Sequence, residues 1–295
     1  MQFADGGVSQ QQSQIEAMIT QGVKVLVVGA IDGGQLGTQL QMAADEGIKI
    51  IAYDRLLTNT ENVDLYVAFD PYKVGELQGQ SLLDGLADRK AADGPPWNIE
   101  LIAGSPDDAN APAFFNGAMS ILQPKIDDGT LVIPSGQDTF QQAATQGWLA
   151  ANAQTRMDTI MAGFYAGGTQ LDGILSPNDT LARAALTAVS QAGGGTPVVT
   201  GQDSEVESVR SILEGEQYST IYKDTRTLVA ETVAQVVLAQ QCAPFQVNDT
   251  TSFDNGVKVV PTYAIEPVVV TQENAREVYA GDPIIDPILA EFPAS

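Results

Sequence analysis

The chain has 295 residues, 44% of them hydrophobic, and its 14 basic residues face 37 acidic ones for a formal charge of −23. A surface of that sign repels phosphate backbones and anionic lipid, and no apolar run is long enough to span a bilayer, so nucleic-acid binding and membrane insertion are not expected. With no histidine and a single cysteine, Cys242, histidine triads, paired-histidine zinc sites, internal disulfides and cysteine metal clusters are excluded. Cys242 itself reads as a small buried hydrophobe near a helix end.

In chain order, QQSQIEAMITQG (11–22) is an amphipathic helix that stops at Gly22, where a helix C-terminal glycine belongs. VKVLVVGAI (23–31), IKIIAYD (48–54) and LYVAFD (65–70) are apolar runs of the length of buried parallel strands, with Gly47 ending the helix between the first two. Asp70 precedes Pro71 as an N-cap precedes a proline at the first helical position, opening a helix over 71–89. NIELIAGS (98–105) is the next strand, with Trp97 at its edge or in the loop before it, and GSPDDANAP (104–112) reads as a break between domains. The strands then continue through 131–138, 171–179, 197–203 and 218–224, with a helix over 178–194 that ends at Gly193. A second crossing is expected near 222–226, and the tail from 258 onward is extended and Pro-interrupted without a helical period. Alternating strands and helices imply an α/β fold with parallel sheets covered on both faces. An eight-stranded barrel is the architectural rival, and the irregular spacing and the tail count against it.

In open parallel sheets, ligands sit beyond the carboxyl ends of the strands. Those ends carry Asp32, Asp54, Arg55, Asp108, Asn110, Asn178, Asp179, Asp203 and Lys223. Helix capping alone could account for Asp70, and it competes with a binding role for Asn178 and Asp203. It does not account for Arg55 and Lys223, because cations are unfavourable at helix N-termini. GAIDGGQLG (29–37) does not fit a dinucleotide fingerprint, and no phosphate-binding P-loop occurs. A neutral polyhydroxylated molecule suits the set better. Each sugar hydroxyl donates once and accepts twice, so it needs both an acceptor such as Asp and a donor such as Arg, Lys or Asn. The apolar face of a pyranose needs an aromatic plate, for which Trp148 in GWLAAN (147–152) is the candidate, with a core role as its alternative.

IAYDRLL, GSPDDAN, GWLAANAQTRM, SPNDTLA, GQDSEVESVRSILEGEQYSTIYKD and the opening QQQSQIEAMITQGVKVLVVGAIDG together resemble the periplasmic sugar-binding proteins of ABC transporters, in the xylose- and multiple-monosaccharide-binding branch. The resemblance runs nearly end to end. It implies a two-lobed type I fold, each lobe a parallel sheet flanked by helices, joined by three crossovers that hinge shut on one sugar. By motif, it implies first-lobe hydroxyl contacts from Asp54 and Arg55, a pair also expected to brace each other, and a crossover pair Asp108 and Asn110. It also implies a stacking ring at Trp148 and second-lobe contacts from Asn178, Asp203 and Lys223. The lobes are expected over 1–105 with 225–261 and over 106–224 with 262–295.

Family members carry one further strand and helix ahead of the segment matching MQFADGG. Met1 is therefore expected to be internal to a longer protein with its export signal upstream, and β-sheet partners and an apolar face of the first lobe to lie uncovered, lowering stability and affinity. The expected function is an extracytoplasmic receptor that delivers a neutral monosaccharide to an ABC permease without a cofactor. The alternatives are the effector domain of a transcription regulator of the same fold, and a glycosidase using Asp54, Asp107 or Asp108. The latter needs two carboxyls about 5–9 Å apart across the scissile bond.

Overall fold

The computed structural model describes residues 1–5, 7–92 and 94–292. The first elements are α1 (Val8–Thr20), β1 (Val25–Val28), α2 (Gly37–Asp45), β2 (Lys49–Tyr53) and β3 (Leu65–Phe69). Then come α3 (Pro71–Arg89), β4 (Trp97–Leu101), α4 (Asn110–Asp127), β5 (Leu131–Val132), α5 (Phe140–Ala143) and α6 (Ala150–Ile160). Next are β6 (Gly173–Leu175), α7 (Asp179–Gln191), β7 (Val198–Val199), α8 (Val206–Glu214), β8 (Ser219–Tyr222) and α9 (Thr225–Gln240). The chain closes with β9 (Thr262–Ile265), β10 (Val268–Thr271), α10 (Ala275–Val278) and α11 (Asp286–Leu289). The elements form two compact units, one comprising Met1–Asp70, Asp107–Asn110 and Asp224–Glu266, the other Pro71–Pro106, Ala111–Lys223 and Pro267–Ser295.

The first unit holds a four-stranded sheet in the order β1-β2-β3-β9, parallel throughout. Because side chains alternate across a strand, Ile50, Ala52, Tyr66 and Ala68 pack on one face with Leu40 and Ala43 of α2 and Ile15 of α1. Ile51, Leu65, Val67 and Phe69 pack on the other with Leu228 of α9. Continuous apolar strands are what burial on both faces requires. The sheet order puts β1 at an edge, and Val27 on it is exposed, as are Val229, Val233 and Val237, spaced by four along α9.

The second unit has the parallel order β5-β4-β6-β7 and an antiparallel β8-β10 pair. Leu82 and Leu86 of α3 and Phe115, Ala118 and Leu122 of α4 cover Ile99 and Leu101, while Met157, Ile160, Leu181, Ala185 and Val189 pack with Ile102, Ile174 and Val199. Two open sheets replace the barrel alternative.

Four expectations are corrected. Residues 71–105 group with the second unit rather than the first, because β4 pairs with β5 and β6 and α3 packs on that sheet. Residues 262–266 join the first unit instead, because β9 completes its sheet beside β3. The tail is not free of helix, for it forms α10 and α11, whose Ala275, Tyr279, Ile285 and Leu289 build a small core with Val209 and Val270; residues 293–295 of that tail lie outside the described residues. Cys242 is exposed, not buried. It occupies a left-handed turn position (φ 55°) just past α9, where the chain leaves the helix surface.

Candidate functional site

In the first unit the site begins where β2 ends. Asp54 takes a left-handed backbone (φ 62°), an uncommon conformation for a non-glycine residue that costs about 1 kcal/mol or more. Its carbonyl is held by two donors, the Tyr66 hydroxyl at 2.8 Å and the Asn110 side-chain amide at 2.9 Å. Its carboxylate has no hydrogen-bond or ion-pair partner among the described residues. The Tyr66 hydroxyl also lies 3.2 Å from Asn110 Oδ1. Burial first, then the Asp54, Asp108 and Asp70 carboxylates, raise its pKa well above the ordinary phenol value, so it stays a neutral donor.

Arg55 and Asp54 do not brace each other, because the turn at Asp54 separates the two neighbouring side chains. Arg55 Nη2 pairs instead with Asp108 Oδ2 at 3.0 Å, and its Nη1 donates to the carbonyl of Ile31 at 3.1 Å. Asp108 is only 5% exposed, and its other oxygen accepts the Asn110 backbone N–H at 3.0 Å. The four expected residues of this unit thus form one network, in which Asp108 fixes Arg55 and Asn110 fixes Asp54.

In the second unit Trp148 ends a 3₁₀ turn (Gln146–Trp148), again with a left-handed backbone (φ 55°). Its indole lies directly on Gly104, where a Cβ would stand 2.2 Å from Cη2, so only glycine admits the ring. Phe114 meets it edge-on, centroids 6.5 Å apart at 68°, a favoured aromatic geometry. The ring is half-buried and packs against two buried apolar clusters, one with Ile102 and Met157 and one with Val74 and Ile221. Lys223 Nζ lies 5.9 Å from the Phe114 centroid and pairs with Asp203 Oδ1 at 3.0 Å. Asn178 is the N-cap of α7, its Oδ1 accepting the Leu181 N–H at 3.0 Å. Capping uses only the oxygen, and the amide NH2 has no hydrogen bond among the described residues, so the two roles coexist in one side chain. Asp32, by contrast, is consumed by its own turn, accepting from the Gly34 N–H and the Gln35 amide.

The sequence reading missed Tyr66 and Phe114, which hold the Asp54 carbonyl and the Trp148 ring in place. Both sit inside apolar runs, LYVAF and APAFF, and look like ordinary core; only adjacency to GSPDDAN hints at Phe114. Among the described residues no group of three or more acidic or cysteine side chains could hold a metal ion, and no helix is long and apolar enough to cross a membrane.

Residues 1–241 match the family described as periplasmic binding protein domain. The multiple sugar-binding periplasmic receptor ChvE of Rhizobium radiobacter is 49% identical over 284 residues, covering 94% of this chain and 79% of that protein. The D-xylose-binding periplasmic protein of Escherichia coli (strain K12) is 35% identical, covering 96% of this chain and 80% of that protein. Among solved structures, an ABC transporter solute-binding protein from Clostridium phytofermentans with bound β-D-glucose superposes with a TM-score of 0.89 at 41% identity, covering 96% of this chain and 87% of that one. These relatives are transport receptors rather than enzymes. The chain belongs to the periplasmic binding protein family, with its α/β type I fold, and stands among the sugar-binding receptors of ABC transport.

Proposed function

We propose that the protein is an extracytoplasmic receptor that binds one neutral monosaccharide, an aldose such as xylose or glucose, and hands it to an ABC permease. The observation that carries this reading is the paired chemistry of the two units. One offers the Asp54 carboxylate, without a partner among the described residues, beside the anchored Arg55 and Asn110. The other offers an aromatic plate at Trp148, the Asp203–Lys223 pair and the spare amide of Asn178. Each set holds both acceptors and donors, which sugar hydroxyls demand and which phosphorylated or apolar ligands do not. The names of the relatives, a multiple sugar-binding receptor and a xylose-binding protein, favour the same ligand class. In this reading the two units act as lobes, and a sugar that contacts both only in a closed state stabilises that state, which the permease then recognises.

Isothermal titration with D-xylose, D-glucose, L-arabinose and D-galactose should give one-to-one binding of at least one sugar, with about micromolar affinity, near −8 kcal/mol, and no product released. Asp203→Ala and Trp148→Ala should each weaken that binding at least tenfold, about 1.4 kcal/mol, with the circular dichroism spectrum unchanged. Wild-type affinity in both variants would mean that the sugar binds elsewhere.

A further inference from the structure

The loop that carries Asp203 is strained. Asp203 and Ser204 are consecutive non-glycine residues in left-handed backbone, φ 94° and 53°, and such residues persist only where surrounding structure over-determines them. What lies beneath is a carboxylate. Asp179, the first residue of α7, is 0% exposed. Its Oδ2 accepts the Glu205 backbone N–H at 2.9 Å and the Thr220 hydroxyl at 3.0 Å, and its Oδ1 accepts the Gln217 amide at 2.9 Å. The Thr220 oxygen in turn accepts the Ser204 N–H at 3.2 Å. The two amides that follow Asp203 are therefore both tied to Asp179, one directly and one through Thr220. Other bonds finish the clamp: the Asp203 N–H donates to the Ile221 carbonyl at 2.9 Å, and the Tyr279 hydroxyl donates to Ser204 Oγ at 2.6 Å. Gly201 makes the approach possible, since a Cβ there would lie 2.0 Å from Asp179 Oδ1.

We infer that Asp179, acting with Thr220, is a positioning residue for sugar recognition that holds Asp203 in the strained conformation pairing it with Lys223. The inference rests on the reading of Asp203 as a sugar contact. Asp179 does not itself touch the ligand in this scheme. Three donors converge on its two oxygens, and an asparagine at the same place would offer one oxygen and turn an NH2 toward donors, so shape alone cannot replace the carboxylate. Without the clamp the loop relaxes toward ordinary backbone angles and the Asp203 carboxylate leaves Lys223.

The test measures D-glucose and D-xylose dissociation constants by titration at 25 °C in Asp179→Asn, Thr220→Val, Thr220→Ser and Asp203→Ala, with unfolding midpoints beside them. Asp179→Asn and Thr220→Val should each weaken binding at least tenfold in protein that is folded at the temperature of measurement. Thr220→Ser, which keeps the hydroxyl, should stay within about twofold of wild type. A purely structural role would lower the midpoints and leave the affinities alone. If Asp179→Asn does not fold, the valine and serine substitutions at 220 still decide the matter. Weak binding in Asp203→Ala alongside wild-type affinity in Asp179→Asn and Thr220→Val would overturn the inference while sparing the site. Wild-type affinity in Asp203→Ala would overturn the reading on which it rests.

Discussion

Asp108→Ala should reduce sugar affinity at least about a hundredfold and lower unfolding free energy by about 2–3 kcal/mol, the largest loss expected of any single substitution in the first unit. The carboxylate serves two anchors at once. It neutralises Arg55 at 3.0 Å and accepts the backbone N–H that opens α4 at Asn110. Removing one member of a buried ion pair costs about 3–5 kcal/mol because the surviving charge is left without a partner. Arg55 is 31% exposed, so water recovers part of that penalty. The affinity loss is larger than for a lone contact because Arg55 and Asn110 both lose their orientation, and each charge-assisted bond to a sugar hydroxyl is worth about 1.5–3 kcal/mol. Arg55→Ala should cost less stability, since Asp108 would keep the Asn110 amide. A double-mutant cycle over Asp108 and Arg55, followed by titration and urea unfolding, measures the coupling. Additive effects would show that the two side chains act independently and that the network is misassigned.

This network also shows how far the sequence could be read. The local rhythm of apolar run, polar tip and amphipathic helix locates the elements well: α3 spans the expected 71–89, and Gly22, Gly47 and Gly193 all take left-handed backbone after helices. Such signals are local, set by side-chain periodicity and by the few residues that tolerate positive φ. Sheet membership is not local. Nothing in WNIEL says that it pairs with LV at 131–132 and GIL at 173–175 rather than with LYVAF, and unit membership of 71–105 follows from that pairing alone. The same limit applies within the site. The polar tips Asp54, Arg55, Asp108 and Asn110 are visible as residues that capping does not fully explain, but their pairing is a long-range fact. Arg55 selects Asp108, 53 positions away, over its own neighbour. Backbone strain is equally hidden, because an aspartate or tryptophan in left-handed conformation is the choice that local propensity disfavours. Asp54, Trp148 and Asp203 all break that rule at the site, where consistency between local preference and fold is expected to give way to function.

Asp179 should betray its cost in the pH dependence of stability. Burial pushes its carboxyl from an ordinary 3.8 up to about 7, with the Asp203 charge adding to the rise while hydrogen bonds from Gln217, Glu205 and Thr220 oppose it. A carboxyl raised in the fold binds its proton more tightly there than in the unfolded chain. The stabilisation from that proton is complete below the unfolded value and is lost as pH climbs through about 7. A shift of this size corresponds to about 4 kcal/mol. Glu100, buried in β4 and hydrogen-bonded to Ser135 and Tyr165, is raised as well and slopes in the same direction, so the wild-type curve alone would not isolate Asp179. Subtracting the curve for Asp179→Asn does, because Glu100 is common to both. Urea unfolding from pH 4.5 to 8.5 should show the asparagine variant gaining on wild type by about 3 kcal/mol across that range, most steeply between pH 5 and 7. Parallel curves would mean that Asp179 is no more reluctant to ionise than a surface carboxylate. Above about pH 7 the fold therefore carries that carboxylate ionised at a cost in stability. Carrying a buried charge under the loop of Asp203 makes sense only if three converging donors there are worth more to the position of that loop than they cost the stability of the chain.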